Sequence, residues 1–234
     1  MKKEKEKEEF KIDIEEMAKA GLHFGRATPF LYPKMKEFVG GKRGKINIID
    51  LFKAREEFKK TLSFIGEAVS QGKVILFVGT KIPAREVVKK TAEECNFPYI
   101  IERWVGGLFT NFSNIMKRIK RMKELEKEKN EGKLEKYTKK ERANLEEELQ
   151  NLKEKFGGLE SMESLPDIIF VVDPSKEKYC IEEAYKKEIK VIAVGNINTN
   201  PDKIDYLIPA NDNTISSLNY ILGKVKEVII KNKK

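Results

Sequence analysis

The chain carries a single histidine, His23, so any Ser-His or Cys-His catalysis would have to run through it. His23 stands in Gly21-Leu-His-Phe-Gly-Arg26 with no H-E-x-x-H pattern and no nucleophile motif nearby, and a structural or RNA-contacting role fits better than general-base work. Cys95 and Cys180 are far apart and neither belongs to a C-x-x-C pair, which argues against a thiolate metal site and fits a reducing compartment. Asp173 and Asp205 are not spaced for paired acid–base chemistry. Two turns sit where an α/β domain would hold a ligand. Val78-Gly-Thr-Lys-Ile-Pro83 lacks both G-x-x-x-x-G-K-[ST] and G-x-G-x-x-G, and Pro83 removes an amide donor, so a nucleotide-binding enzyme built on the turn at Gly79 is the weaker reading. Gly195-Asn-Ile-Asn-Thr-Asn-Pro-Asp202 offers carbonyls and Asp202 to a hard cation, but its side chains are better suited to Asx-turns. No catalytic, metal or cofactor site is assembled by these residues.

Positive charge is assembled instead. Among 234 residues, 47 Lys and Arg against 38 Asp and Glu leave a net charge of +9, which selects polyanionic partners. The loop Gly21–Met35 mixes Phe24, Phe30 and Tyr32 with His23, Arg26 and Lys34, and Lys36 follows it. Rings stack on bases and cations meet phosphates, although the same rings could equally pin the loop to the domain. Lys42, Arg43 and Lys45 crowd the tip of an expected hairpin between Phe38-Val39 and Ile46–Ile49. Lys117, Arg118, Lys120 and Arg121 form a one-sided cluster suited to phosphate, and Lys81 is a further candidate for contact with an RNA phosphate.

The elements that must position these groups follow from periodicity. Residues 1–9 alternate in sign and read as a disordered tail, then Ile14–Ala20 reads as a short helix stopped by Gly21. Asp50 can cap a helix whose Leu51, Ala54, Phe58, Leu62, Ile65 and Val69 share one face. Val74–Val78, Tyr99–Ile101, Ile168–Val172 and Val191–Val194 are near-continuous apolar runs, as in a parallel sheet covered on both faces, and Tyr206–Ile208 adds a short fifth strand. Expected helices run from Pro83 to Asn96, from Ser175 to Glu188 and from Thr214 to the C-terminus, giving a doubly wound three-layer domain.

An excursion interrupts that order. Lys117–Lys155 holds 14 Lys and Arg and 10 Asp and Glu, with Ile115, Ile119 and Met122 on one limb and Leu145, Leu149, Leu152 and Phe156 on the other. Such seams predict an antiparallel coiled-coil hairpin over 113–156, each seam buried only against the other, reaching about 30 Å from the domain. Residues 10–112 and 157–234 then make the α/β/α domain. Arg103-Trp-Val-Gly-Gly-Leu-Phe-Thr-Asn-Phe112 is the joint, with Trp104 as an anchor and Gly106-Gly107 for unusual backbone; Arg103 and Asn111 are its candidate RNA contacts.

Eight motifs then stand together in order: Gly21–Gly25, Pro33–Met35, Phe77–Lys81, Arg103–Gly107, Leu108–Phe112, Leu165–Pro174, Asn198–Asp202 and Asp205–Asp212. From about Met17 to Val228 the chain resembles the second protein of the ribosomal small subunit, of the bacterial type. The resemblance implies a flavodoxin-like α/β/α domain with a mainly parallel five-stranded sheet and an inserted helical hairpin. It also implies a cytoplasmic, non-enzymatic protein without cofactor or membrane, not a homo-oligomer. Its implied partners are small-subunit rRNA at the head–body junction and neighbouring proteins, including the large mRNA-binding one where present. A regulatory or adhesion role outside the ribosome is a further reading. Arg26 stands where the family usually has a second histidine, which argues against a two-histidine metal site and favours a phosphate or base-edge contact. The turn Asn198-Thr-Asn200 lacks the cysteine often found there.

Overall fold

In the structure, a computed structural model, residues 12–233 are described; the expected tail over residues 1–9 lies outside them. After α1 (Ile14–Lys19), capped by Asp13, come β1 (Phe24–Ala27), β2 (Val39–Arg43) and β3 (Ile46–Ile49). The expected hairpin is β2–β3, but the preceding stretch is not all loop: β1 pairs with β3 and completes an antiparallel sheet ordered β1-β3-β2. Gly25 hid this strand, and Gly25 is what makes it possible. A Cβ there would lie 2.6 Å from the carbonyl oxygen of Asn47 on β3, so the close approach of its backbone is to its own chain.

Asp50 accepts the amides of Phe52 and Lys53 at 2.9 and 3.3 Å and starts α2 (Leu51–Ser70), whose Ala54, Phe58, Leu62, Ile65 and Val69 are buried. Then follow β4 (Ile75–Val78), α3 (Ile82–Cys95) with Pro83 in its first turn, and β5 (Tyr99–Ile100). The excursion supplies α4 (Phe112–Asn130) and α5 (Lys139–Phe156). The chain returns through β6 (Ile168–Val172), α6 (Lys178–Lys186), β7 (Lys190–Gly195), β8 (Tyr206–Pro209) and α7 (Ile215–Asn232). α6 is shorter than the expected Ser175–Glu188 because Asp173, in left-handed backbone at φ 60°, turns the chain before it, and Glu188 at φ 56° ends the turn after it.

The five parallel strands are ordered β5-β4-β6-β7-β8, which counts as 2-1-3-4-5 along this sheet, the flavodoxin-type order. β4 and β6 run in register from Ile75↔Ile168 to Val78↔Val171, and Asp167 accepts the Val74 amide at 2.9 Å at their start. Side chains alternate between two cores. Ile75, Phe77, Ile168, Phe170 and Ile192 join α2, α3 and α7 on one face, whereas Leu76, Val78, Ile169, Val171 and Ala193 join α6 on the other.

That second core corrects the expectation that the excursion's seams bury only against each other. Ile115, Ile119, Met122 and Leu125 of α4, with Leu149 and Phe156 of α5, belong to the same cluster as the sheet residues. Lys123 in mid-α4 donates to the Glu160 carbonyl at 2.8 Å, and Gly158 passes so close to β5 that a Cβ would meet the Tyr99 carbonyl oxygen at 2.2 Å. Arg121–Glu148 and Lys153–Glu126 tie α4 to α5. A segment that is charged overall still contributes a helix face to the domain, since only its seam is apolar.

Candidate nucleic-acid interface

In a doubly wound sheet the ligand crevice lies outside the carboxyl ends of the strands, where the strand order reverses. Here that point falls between β4 and β6, and it is filled by the protein's own charges. Lys81 Nζ donates to Asp173 Oδ2 at 2.9 Å and to Asp212 Oδ2 at 3.1 Å. Arg26 reaches the same two carboxylates, at 3.5 and 3.3 Å. Asn196 Nδ2 donates to the other oxygen of Asp212, which is fully buried, and Glu177 accepts from Thr80 Oγ1 beside it. Burial and the neighbouring Asp173 push the Asp212 carboxyl above its usual range, against the pull of Lys81 and Arg26. Two cations and two carboxylates leave no net charge for a phosphate. Arg26, whose position favoured a phosphate or base-edge contact, turns inward with Lys81.

His23 is half-buried with its ring 4.1 Å from that of Phe24, and its Nδ1 is buried without a hydrogen-bond partner. In the turn after β7, Asn200 Oδ1 accepts the Asp202 amide at 3.0 Å, the expected Asx-turn, while Asp202 pairs with Lys34. Among the described residues no cluster of His, Cys, Asp and Glu is arranged to hold a metal ion.

The joint is organised by a residue that the sequence did not single out. Glu183 of α6 accepts from Trp104 Nε1 at 3.2 Å, from the amides of Gly107, Phe109 and Thr110 at 2.8, 3.0 and 3.2 Å, and from Thr110 Oγ1 at 3.3 Å. Gly107, at φ 87°, supplies the left-handed turn that aims these amides inward. Burial alone would raise the Glu183 carboxyl, but the Gly107 and Phe109 amides, the Trp104 indole and the Thr110 amide outweigh it and hold it below the usual carboxylate value. The only available signal was a glutamate on the apolar face of α6, beside Cys180 and Ala184. Trp104 packs edge-on against Phe109, so it anchors the joint as expected.

The remaining cations face solvent. Among the described residues, Lys36, Lys42, Arg43, Lys45, Arg103, Lys117 and Arg118 are exposed and make no side-chain hydrogen bond or ion pair. Lys120 lies 4.0 Å from Glu124, and Arg121 is paired with Glu148. Asn111 precedes α4 and its Oδ1 accepts from Asn114. At the β2–β3 tip the Thr28 amide donates to the Lys45 carbonyl at 3.3 Å, which brings Phe30, 63% exposed, beside the basic turn. Tyr32 instead packs on the first core, its amide bonded to the Ile197 carbonyl at 2.8 Å. Of the two roles open to the loop's rings, Tyr32 pins and Phe30 is presented. The arrangement can bind a polyanion by charge and ring contact, and it offers no nucleophile or base aligned for turnover.

Residues 17–232 match the family model described as Ribosomal protein S2. The chain is also 40% identical over 217 residues to the small ribosomal subunit protein uS2 of Francisella tularensis subsp. novicida (strain U112), an alignment covering 93% of this chain and 91% of that protein.

Proposed function

The chain belongs to the ribosomal protein S2 family, a structural family of the small ribosomal subunit, and on that premise we propose that it binds small-subunit rRNA through its outward cations. The observation that carries this reading is the set of cations without partners among the described residues, at the β2–β3 tip and at the start of α4. Lys42, Arg43 and Lys45 with Phe30 make one contact; Lys36 flanks it. Arg103, Lys117 and Arg118 make a second, with Asn111 and Lys120 at its margins, and His23 contributes separately from the loop beside Phe24. The α/β domain fixes the spacing between the two patches, so folded RNA is recognised by shape more than by base sequence. Arg26, Lys34, Lys81 and Arg121 are paired with carboxylates of the chain itself and act as braces. The excursion of residues 113–156 works as a coiled-coil arm whose base is locked to the domain. The site is the head–body junction on the cytoplasmic ribosome, the chain enters as one copy, and it helps dock the large mRNA-binding ribosomal protein.

A nucleotide-binding enzyme using the Gly79 turn is the poorer reading, because the crevice it requires holds Lys81, Asp173, Arg26 and Asp212.

The test is incorporation into small subunits, followed by density-gradient sedimentation. K117E/R118E should lower incorporation while the free protein keeps its Tm. R121E, which breaks an exposed pair, should cost at most about 1 kcal/mol of stability and reduce incorporation less. Equal incorporation of wild type and K117E/R118E would remove the second patch.

A further inference from the structure

With the switch point filled, a cleft still opens on the same edge of the sheet, on the β5 side. It measures about 390 Å³, within the roughly 300–1,000 Å³ of small-molecule sites. Its floor is Thr80 and Glu177, both buried and bonded to each other. Its rim carries Arg103, Lys176 and Tyr179, with the edge of Trp104 in the wall.

The charges around this cleft are not equal. Glu102 is paired with Arg85 at 2.8 Å, and Glu177 lies buried on the floor with its carboxylate accepting from Thr80. Among the described residues the Arg103 guanidinium has no partner, and Lys176 reaches only the Thr80 carbonyl, at 3.3 Å. The open cleft therefore presents cations. Tyr179 is 80% exposed at the start of α6, with no ring, cation or hydrogen-bond partner among the described residues. An aromatic ring held in water beside an unpaired guanidinium matches a base stacked on the ring and a phosphate on the cation. Trp104 cannot offer its indole N–H, because Glu183 already takes it.

We propose that this cleft receives one unstacked nucleotide of RNA, its base on Tyr179 and its phosphate on Arg103 and Lys176. The inference rests on the rRNA-binding reading and names a residue, Tyr179, outside the basic patches that carry it. A base inside a helix could not reach the ring, so the ligand is a loop, bulge or single strand.

Trp104 is the only tryptophan and lines the cleft, so its emission reports occupancy. The full chain is titrated with a single-stranded RNA hexamer, with a blunt duplex of the same sequence and with AMP. The hexamer should change the emission saturably, and the duplex and AMP should bind at least tenfold more weakly. Tyr179→Ala should raise the hexamer Kd by about tenfold, the scale of one lost base–aromatic stack, and Tyr179→Phe should preserve it. An unchanged Kd in Tyr179→Ala overturns the proposal, and AMP binding as tight as the hexamer's would make a free nucleotide the ligand. If the hexamer fails while wild type still enters small subunits, this inference alone falls; failed incorporation of wild type would overturn the reading beneath it.

Discussion

Glu183 and Trp104, 79 residues apart, meet in a single hydrogen bond of 3.2 Å, and around it the same carboxylate collects three backbone amides and a hydroxyl. A charged group can be buried when every lone pair has a donor, and here the donors all come from one ten-residue joint. The consequence is mechanical. The joint from which α4 leaves the domain is held by a helix that follows the excursion in sequence, acting on the turn that Gly107 makes.

Replacing Glu183 by Ala should therefore leave the indole and several amides without partners. At about 1–3 kcal/mol for each buried orphan, a loss of 3 kcal/mol or more is expected in denaturant unfolding. Glu183→Gln keeps the shape but loses the charge and should cost about 1–2 kcal/mol. A cost below 0.5 kcal/mol for the alanine variant would mean the joint holds its shape without the carboxylate.

The same group makes the joint sensitive to acid. Because the Glu183 carboxyl titrates lower in the folded chain than its ordinary 4.5, its stabilisation is complete above that value and is lost as pH falls through the folded value. Asp212 has the opposite sign: its raised carboxyl contributes stability below its ordinary 3.8 that is lost as pH rises through the folded value. Global unfolding mixes the two. Trp104 emission follows the first, and should show a transition below about pH 5 that is absent from Glu183→Gln. An identical titration in that variant would assign it to another group.

The filled crevice makes a second energetic claim. Lys81→Met leaves Asp173 and Asp212 with Arg26 alone and should destabilise by about 2 kcal/mol, less than for an isolated buried pair because Arg26 remains. Adding Asp212→Asn should recover part of this, with a coupling of about 1 kcal/mol or more in a double-mutant cycle. Additive effects would show that the four charges are neighbours without being a unit.

Much of this architecture was legible in the residues. The five apolar runs are the five parallel strands, Asp50 and Pro83 start their helices, and Asn198–Asp202 turns on its own side chains. β1 escaped because its evidence is negative: Gly25 is there for the absence of a side chain, visible only once Asn47 lies against it. The fate of each cation escaped for a different reason. Arg26 and Lys36 are equally basic in sequence, but Asp212, 186 residues away, takes one and nothing among the described residues takes the other. Period and composition carry local information, whereas the partner of a charge is decided by the topology of the sheet.

The pairing of β4 with β6 also orders events in time. Val74 and Asp167, 93 residues apart, mark the first rung of the sheet's central ladder. During synthesis β4 can meet only β5 at first, a two-residue strand, and must wait for the whole excursion to emerge before its main neighbour exists. Helices form from local contacts and sooner than distant strands pair, so α4 and α5 can close on each other while β4 is still half-paired, shortening the loop that remains to be closed. The excursion thus shortens the chain's own path back to the sheet before its apolar seam docks on the second core.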